Sequence, residues 1–329
     1  MSIPNEGGIS TDSPQPEKPE IIKAVPVRHP GRWVAGVVLL VLVAMAIHTL
    51  VFSQSQVPGQ GGSRFGWSVV RQYLFSPLIV RGALITLELT VVSMIAGVLL
   101  GVLIAVMRLS KSRLISGVAW FYAWIFRGTP VLVQIYFWFF IAALYPHITL
   151  GIPFGPGFVT INLNSVLGAF WAASLALSLN EGAYMSEIVR AGIISVDEGQ
   201  VEAAHSLGMR RGMALRRIVL PQAMRLIIPP TGNETISMLK TSSLASVIAV
   251  NELTHVANNI SAQNYKTIQL LIVASIWYLA MTTVLSVGQY YLERHFARGA
   301  TRALPPTPFQ RLKRNLRYLR PHLHQGAPA

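Results

Sequence analysis

Glu202–Pro221 reads EAAHSLGMRRGMALRRIVLP, a polar and strongly basic island between long apolar runs. A connection of this length in a chain otherwise suited to lipid lies outside the hydrocarbon. Its local chemistry predicts helix, break, helix. Val201–Leu207 is compatible with a helix, Gly208 can leave the helical basin, and Met209–Leu220 resumes with good helix formers. Pro221 stands where a new helix could begin. The expected product is a short helical hook presented to water.

The rest of the chain gives that island its meaning. Of 329 residues, 52% are hydrophobic and 12% charged, against about 25% charged in soluble domains. An all-α polytopic membrane protein is the expectation. The formal charge of +14 could suit nucleic acid, but its placement along the chain argues for membrane topology, and no nucleic-acid partner is expected. The absence of cysteine excludes disulfides, thiolate zinc sites and thiol catalysis. There is no Gly-x4-Gly-Lys-Ser/Thr, His-Glu-x2-His or Gly-x-Ser-x-Gly, so an ATP-driven activity would need a second chain to bind the nucleotide.

Residues 1–32 are proline-rich and short of aromatics, the composition of a disordered tail. Trp33–Phe52 has the roughly 20 apolar residues of a span and follows Lys23, Arg28 and Arg32; no clear small-x-small cleavage site follows, so it reads as retained rather than as a signal peptide. Residues 54–77 form an external segment. Ala83–Met107 is a second span with Gly97-x3-Gly101 at its middle, a pair that lets helices approach closely. Leu114–Tyr145 is too long for one straight crossing and breaks at Arg127-Gly128-Thr129-Pro130, giving an aromatic-rich helix at the inner interface and a third span over Pro130–Tyr145. An outer loop over Pro146–Asn164, a span from Ser165 to about Ile188, the hook, a span from Leu226 to about Val250 opening at a Pro229-Pro230 break, an outer loop and a span over Thr267–Leu292 complete six transmembrane helices. Arg311–Arg320 sets Leu312, Leu316 and Leu319 on one stripe, either lying on an anionic leaflet or disordered.

Charge placement orients these spans. Of the 27 basic residues, all but Arg64, Arg71, Arg81, Lys240 and Lys266 fall on the side of the hook and of both termini. By the positive-inside rule that side is cytoplasmic.

Glu202-Ala203-Ala204, three residues, Gly208, nine residues, Ile218, one residue and Leu220-Pro221 resembles the signature loop of the membrane subunits of ABC importers. Thr86-Leu87-Glu88-Leu89-Thr90, Phe126–Pro130 with Val133-Gln134, Ala183–Arg190 and Lys240–Ser246 narrow the resemblance to the polar amino acid uptake permeases. It covers about residues 78–297. It implies a five-helix permease core, to which residues 33–53 add one N-terminal span and residues 298–329 a basic cytoplasmic tail. It also implies partners: ABC ATPase subunits that hold ATP and Mg, a second permease subunit, identical or not, and an extracytoplasmic substrate-binding protein that delivers an amino acid. On this resemblance Glu202, Ala203, Ala204, Gly208, Ile218, Leu220 and Pro221 form the ATPase-coupling loop. Glu202 would sit near the start of the hook helix, and the two alanines would keep the docking face thin.

Ionisable groups within spans need water or a partner. Glu88 lies about 8 Å below the outer start of its span, and Lys240, fourteen residues from Leu226, reaches a similar level. Either they face a substrate vestibule suited to a zwitterion, or they pair with each other. Glu181, beside Asn180 and one turn before Tyr184, and Glu234, beside Asn233, share an inner level: a polar ring on the pathway or plain interhelical hydrogen bonding. Glu187 and Arg190 suit a local i, i+3 pair. His48, His205 and His255 have no metal-ligand spacing, and no metal or cofactor is expected on this chain. A polytopic sensor or scaffold without transport is the alternative of another class.

Overall fold

A computed structural model describes residues 30–52, 65–152 and 157–296. The proline-rich and basic tails and most of the external segment lie outside these residues. Two compact units divide the chain after Phe65. The first contributes α1 (Pro30–Phe52), 23 residues whose only charged residue is Arg32 in the first turn, with exposed Val, Leu and Met side chains from Val34 to Met45. At 1.5 Å per residue such a helix matches the hydrocarbon thickness.

The second unit is built around α3 (Pro77–Arg108) and α7 (Ala169–Ile194), which pack along much of their length. Glycine explains the closeness. A β-carbon at Gly101 would stand 2.4 Å from Cβ of Met185, and one at Gly97 would stand 2.7 Å from Cβ of Glu181. Small residues on facing helices let backbones approach and gain dispersion where lipid offers no hydrophobic drive. Ahead of α3 lies a short α2 (Trp67–Leu74), anchored by Trp277 Nε1 donating to the Leu74 carbonyl at 2.7 Å. It falls in the stretch expected to be an external segment, for which no helix was anticipated.

α4 (Arg113–Gly128) and α5 (Val131–Leu144) meet at 105° across Thr129-Pro130. The bend comes where proline removes an N–H, and the freed carbonyls find side-chain donors: Gln134 Nε2 donates to Phe126 O at 2.9 Å and Thr129 O at 3.1 Å, and Asn180 Nδ2 reaches Phe126 O at 2.8 Å. The expected outer loop instead contains an antiparallel hairpin, β1 (His147–Gly151) with β2 (Gly157–Asn162), pairing Thr149 with Thr160. The chain is therefore mostly helical rather than all-α. A four-residue α6 (Leu163–Val166) leads into α7.

The hook also differs from its sequence reading. α8 (Glu198–Ser206) begins earlier than expected, capped by Asp197 Oδ1 accepting from Gly199 N at 2.8 Å, which moves Glu202 out of the first turn. Gly208 turns the chain at φ +76°. From there one uninterrupted helical rod runs through α9 (Arg211–Ala214), a π-turn at Leu215–Val219 and α10 (Leu220–Thr241). Pro221 starts no separate helix, and Pro229-Pro230 makes no break. Gln289 Nε2 donates to the Pro229 carbonyl at 3.3 Å and Thr231 Oγ1 to Ile227 O at 2.8 Å, side-chain bonds that brace the rod at this level. A 3-10 turn (Ser242–Ile248), α11 (Leu253–Asn264) and α12 (Thr267–Phe296) close the unit.

By length and apolarity alone α3 and α12 can each cross a membrane, and the bent α4–α5 pair makes a third candidate. α7 and α10 carry Asn180, Glu181, Asn233 and Glu234, polar groups that lower their apolarity.

Candidate functional site

A cavity of about 560 Å³ opens between the α4–α5 bend, the middle of α7 and α10. Asn180, Glu181 and Tyr184 line it from α7, and Glu234, Ser237, Met238 and Thr241 from α10; Arg127, Thr129 and Pro130 close it at the bend. The helical spacing Asn180, Glu181, Tyr184 puts these three on one face of α7. Glu234, Ser237, Met238 and Thr241 repeat at three and four residues for the same reason. Glu181 is 4% exposed, and its Oε1 has no hydrogen-bond partner among the described residues.

The chemistry of the lining is mixed. Glu181 and Glu234 supply carboxylates, Tyr184 a hydroxyl and a ring face, and Arg127 a guanidinium whose carbon lies 5.4 Å from the Tyr184 ring centroid. Asn180 has a structural duty as well, since its amide holds the last carbonyls of α4. The four inner pathway residues singled out by sequence are thus brought to one place. Arg127, Thr129, Ser237 and Thr241 were not singled out as cavity residues; the Arg-Gly-Thr-Pro signal marked a break in the helix but gave no direction to its side chains.

Glu88 and Lys240 behave differently. Both are exposed, neither lines this cavity, and no ion pair joins them among the described residues. Glu88 lies on the outward stripe of α3 with Leu84, Val91 and Ile95.

The hook presents its tip outward. Leu207 is 82% exposed, and Glu202, Ala203, Gly208, Leu220 and Pro221 are exposed too. Ala204 is buried and Ile218 half-buried within the π-turn, so only Ala203 of the alanine pair faces water. His205 Nδ1 lies 3.1 Å from the Met209 carbonyl and Ser206 Oγ donates to Glu202 O at 3.0 Å, which braces the turn at Gly208.

Residues 97–298 match the family described as binding-protein-dependent transport system inner membrane component. The arginine transport system permease protein ArgU of Corynebacterium glutamicum is 48% identical over 307 residues, covering 92% of this chain and 91% of that protein. That match is longer than the stretch from Gly66 to Ala329, so it includes part of the N-terminal unit. The L-cystine transport system permease protein TcyB of Bacillus subtilis is 38% identical over 238 residues, 72% of this chain and 94% of that protein. Among solved structures, the crystal structure of an amino acid ABC transporter with histidines has a TM-score of 0.59 at 38% identity, covering 70% of this chain and 97% of that chain.

Proposed function

Because the chain belongs to the family of binding-protein-dependent transport system inner membrane components and is a permease subunit of its amino-acid importers, we propose that it passes a cationic amino acid through the cavity between α7 and α10. The observation that carries this reading is that Glu181, Glu234 and Arg127 line one cavity. Two carboxylates suit a cationic side chain or an ammonium, and a guanidinium suits a carboxylate. The 48% identity to a permease named for arginine agrees with that charge pattern.

In this reading residues 78–297 form the permease domain, with five membrane crossings to which α1 adds a sixth, and the hook and both termini are cytoplasmic. Glu202, Ala203, Gly208, Ile218, Leu220 and Pro221 serve the hook's contact with an ABC ATPase, which alone holds ATP and Mg; Ala204 packs the hook onto its own unit. A second permease subunit and an external binding protein complete the importer. Glu88 and Lys240, exposed in the single subunit, find their partner or water where that second subunit closes over them.

Reconstitution of this chain with its ATPase and binding protein into proteoliposomes tests the reading. ATP-dependent uptake of labelled L-arginine, with little uptake of L-glutamate, is the expected result. Uptake without the ATPase, or equal transport of both amino acids, would sink it.

A further inference from the structure

Three helices converge on one carboxylate outside the candidate substrate cavity. Glu187 of α7 accepts hydrogen bonds from Arg108 at the end of α3, from Arg127 Nη1 at 3.0 Å at the end of α4, and from Arg190 Nη2 at 3.1 Å one turn further along α7. A guanidinium does not lose its charge in a protein, so three of them against one carboxylate leave a permanent positive excess. Lys111, in the turn that joins α3 to α4, and Arg113, the first residue of α4, add to it.

Arg108, Arg127 and Glu187 of this cluster form one side of a pocket of about 310 Å³ whose other side is Trp120, Ala123 and Trp124 of α4. The two indoles stack with ring centroids 6.2 Å apart, and both are more than half exposed. α4 turns away from α5 by 105°, so where α5 crosses the bilayer α4 lies along its surface. Exposed tryptophan beside unneutralised arginine at such a level matches the layer where lipid headgroups meet acyl chains.

We propose that this pocket binds the headgroup of an anionic phospholipid in the leaflet on the side of the hook. The phosphate takes guanidinium N–H groups that Glu187 leaves over, and the indoles of Trp120 and Trp124 cover the glycerol and first acyl carbons. Arg127 gives the site a consequence for transport, since it lines both this pocket and the larger cavity. Headgroup occupancy holds the Arg127 side chain toward Glu187.

The whole importer, purified with its ATPase and stripped of lipid, is given equal amounts of phosphatidylglycerol and phosphatidylcholine with the same acyl chains, and retained lipid is read by native mass spectrometry. Phosphatidylglycerol is expected to be retained about tenfold over phosphatidylcholine, and Arg108→Gln, which leaves Glu187 two arginine partners, brings that ratio close to one. Trp124→Ala does the same and stands in should Arg108→Gln fail to assemble. These substitutions leave Arg210, Arg211, Arg216 and Arg217 of the hook in place, so they separate this pocket from basic surface in general. Glycerol 3-phosphate, offered as competitor, leaves the retained lipid unchanged. Equal retention of the two lipids, a preference untouched by the variants, or displacement by glycerol 3-phosphate would each overturn the assignment.

Discussion

Gly97 of α3 lies against Glu181 of α7 so closely that a β-carbon at position 97 would stand 2.7 Å from both Cβ and Cγ of that glutamate. The packing of the two central helices and the placement of the free carboxyl are therefore one problem. Gly97→Ala is expected to shift Glu181 and to lower uptake. Gly101→Ala, aimed at Met185 Cβ, is expected to lower stability by about 1–3 kcal/mol, the usual range for overpacking. Thermal unfolding in detergent and uptake assays measured on both variants check the distinction.

Glu181 and Asn180 are neighbours with separable duties. Glu181→Gln removes charge from the cavity and is expected to weaken apparent affinity for L-arginine by about tenfold, roughly the 1.4 kcal/mol of one modest charged contact. Asn180→Ala removes a hydrogen bond to Phe126 O and is expected to cost about 1 kcal/mol of stability with a smaller effect on affinity. Equal affinity losses in the two variants would contradict this division.

Glu187 holds three arginines from three helices, whereas each arginine is one of three donors to it. Glu187→Gln should destabilise more than any single Arg→Gln change, by about 1–3 kcal/mol against a few tenths. Unfolding temperatures of the four variants, compared in the same detergent and salt, decide it.

Gly208 has open space around the position of a β-carbon, so an alanine there meets no atom, only an unfavourable backbone angle. Gly208→Ala is expected to cost about 1–2 kcal/mol locally. The ATPase should still co-purify, but ATP hydrolysis should respond less to the loaded binding protein. An unaltered response would show that the left-handed turn is not needed for coupling.

Thr86 Oγ1 accepts from Leu253 N at 3.1 Å and donates to the Gly82 carbonyl at 3.0 Å, tying α11 to α3 in a buried setting. Thr86→Val leaves that N–H without its acceptor, an expected loss of about 1–3 kcal/mol. Hydrogen exchange at Leu253 should quicken in the variant.

Much of this was legible from residue order. The Thr129-Pro130 bend followed from a proline that nothing nearby in sequence could bypass, and Gly97-x3-Gly101 marked a close helix contact. Pro229-Pro230 misled because the rod that contains the pair is packed against α12, far along the chain, and a single-segment reading sees only the missing N–H groups. The convergence of Arg108 and Arg127 on Glu187 was equally invisible, because only the packed helices bring these residues together. That Ala204 is buried against its own unit while Ala203 is exposed was not legible from the alanine pair alone, because packing decides which side of α8 is covered.

The π-turn at Leu215–Val219 sets a phase. Its wider ring, closed by Leu220 N on the Leu215 carbonyl, carries one residue more than an α-helical turn would, and the rod continues through it to Glu234 and Thr241. The azimuth of Arg210 and Arg211 relative to Glu234 is consequently keyed to that surplus residue. Excising a single position there would swivel the hook by about 100° around the shaft while leaving its composition almost unchanged.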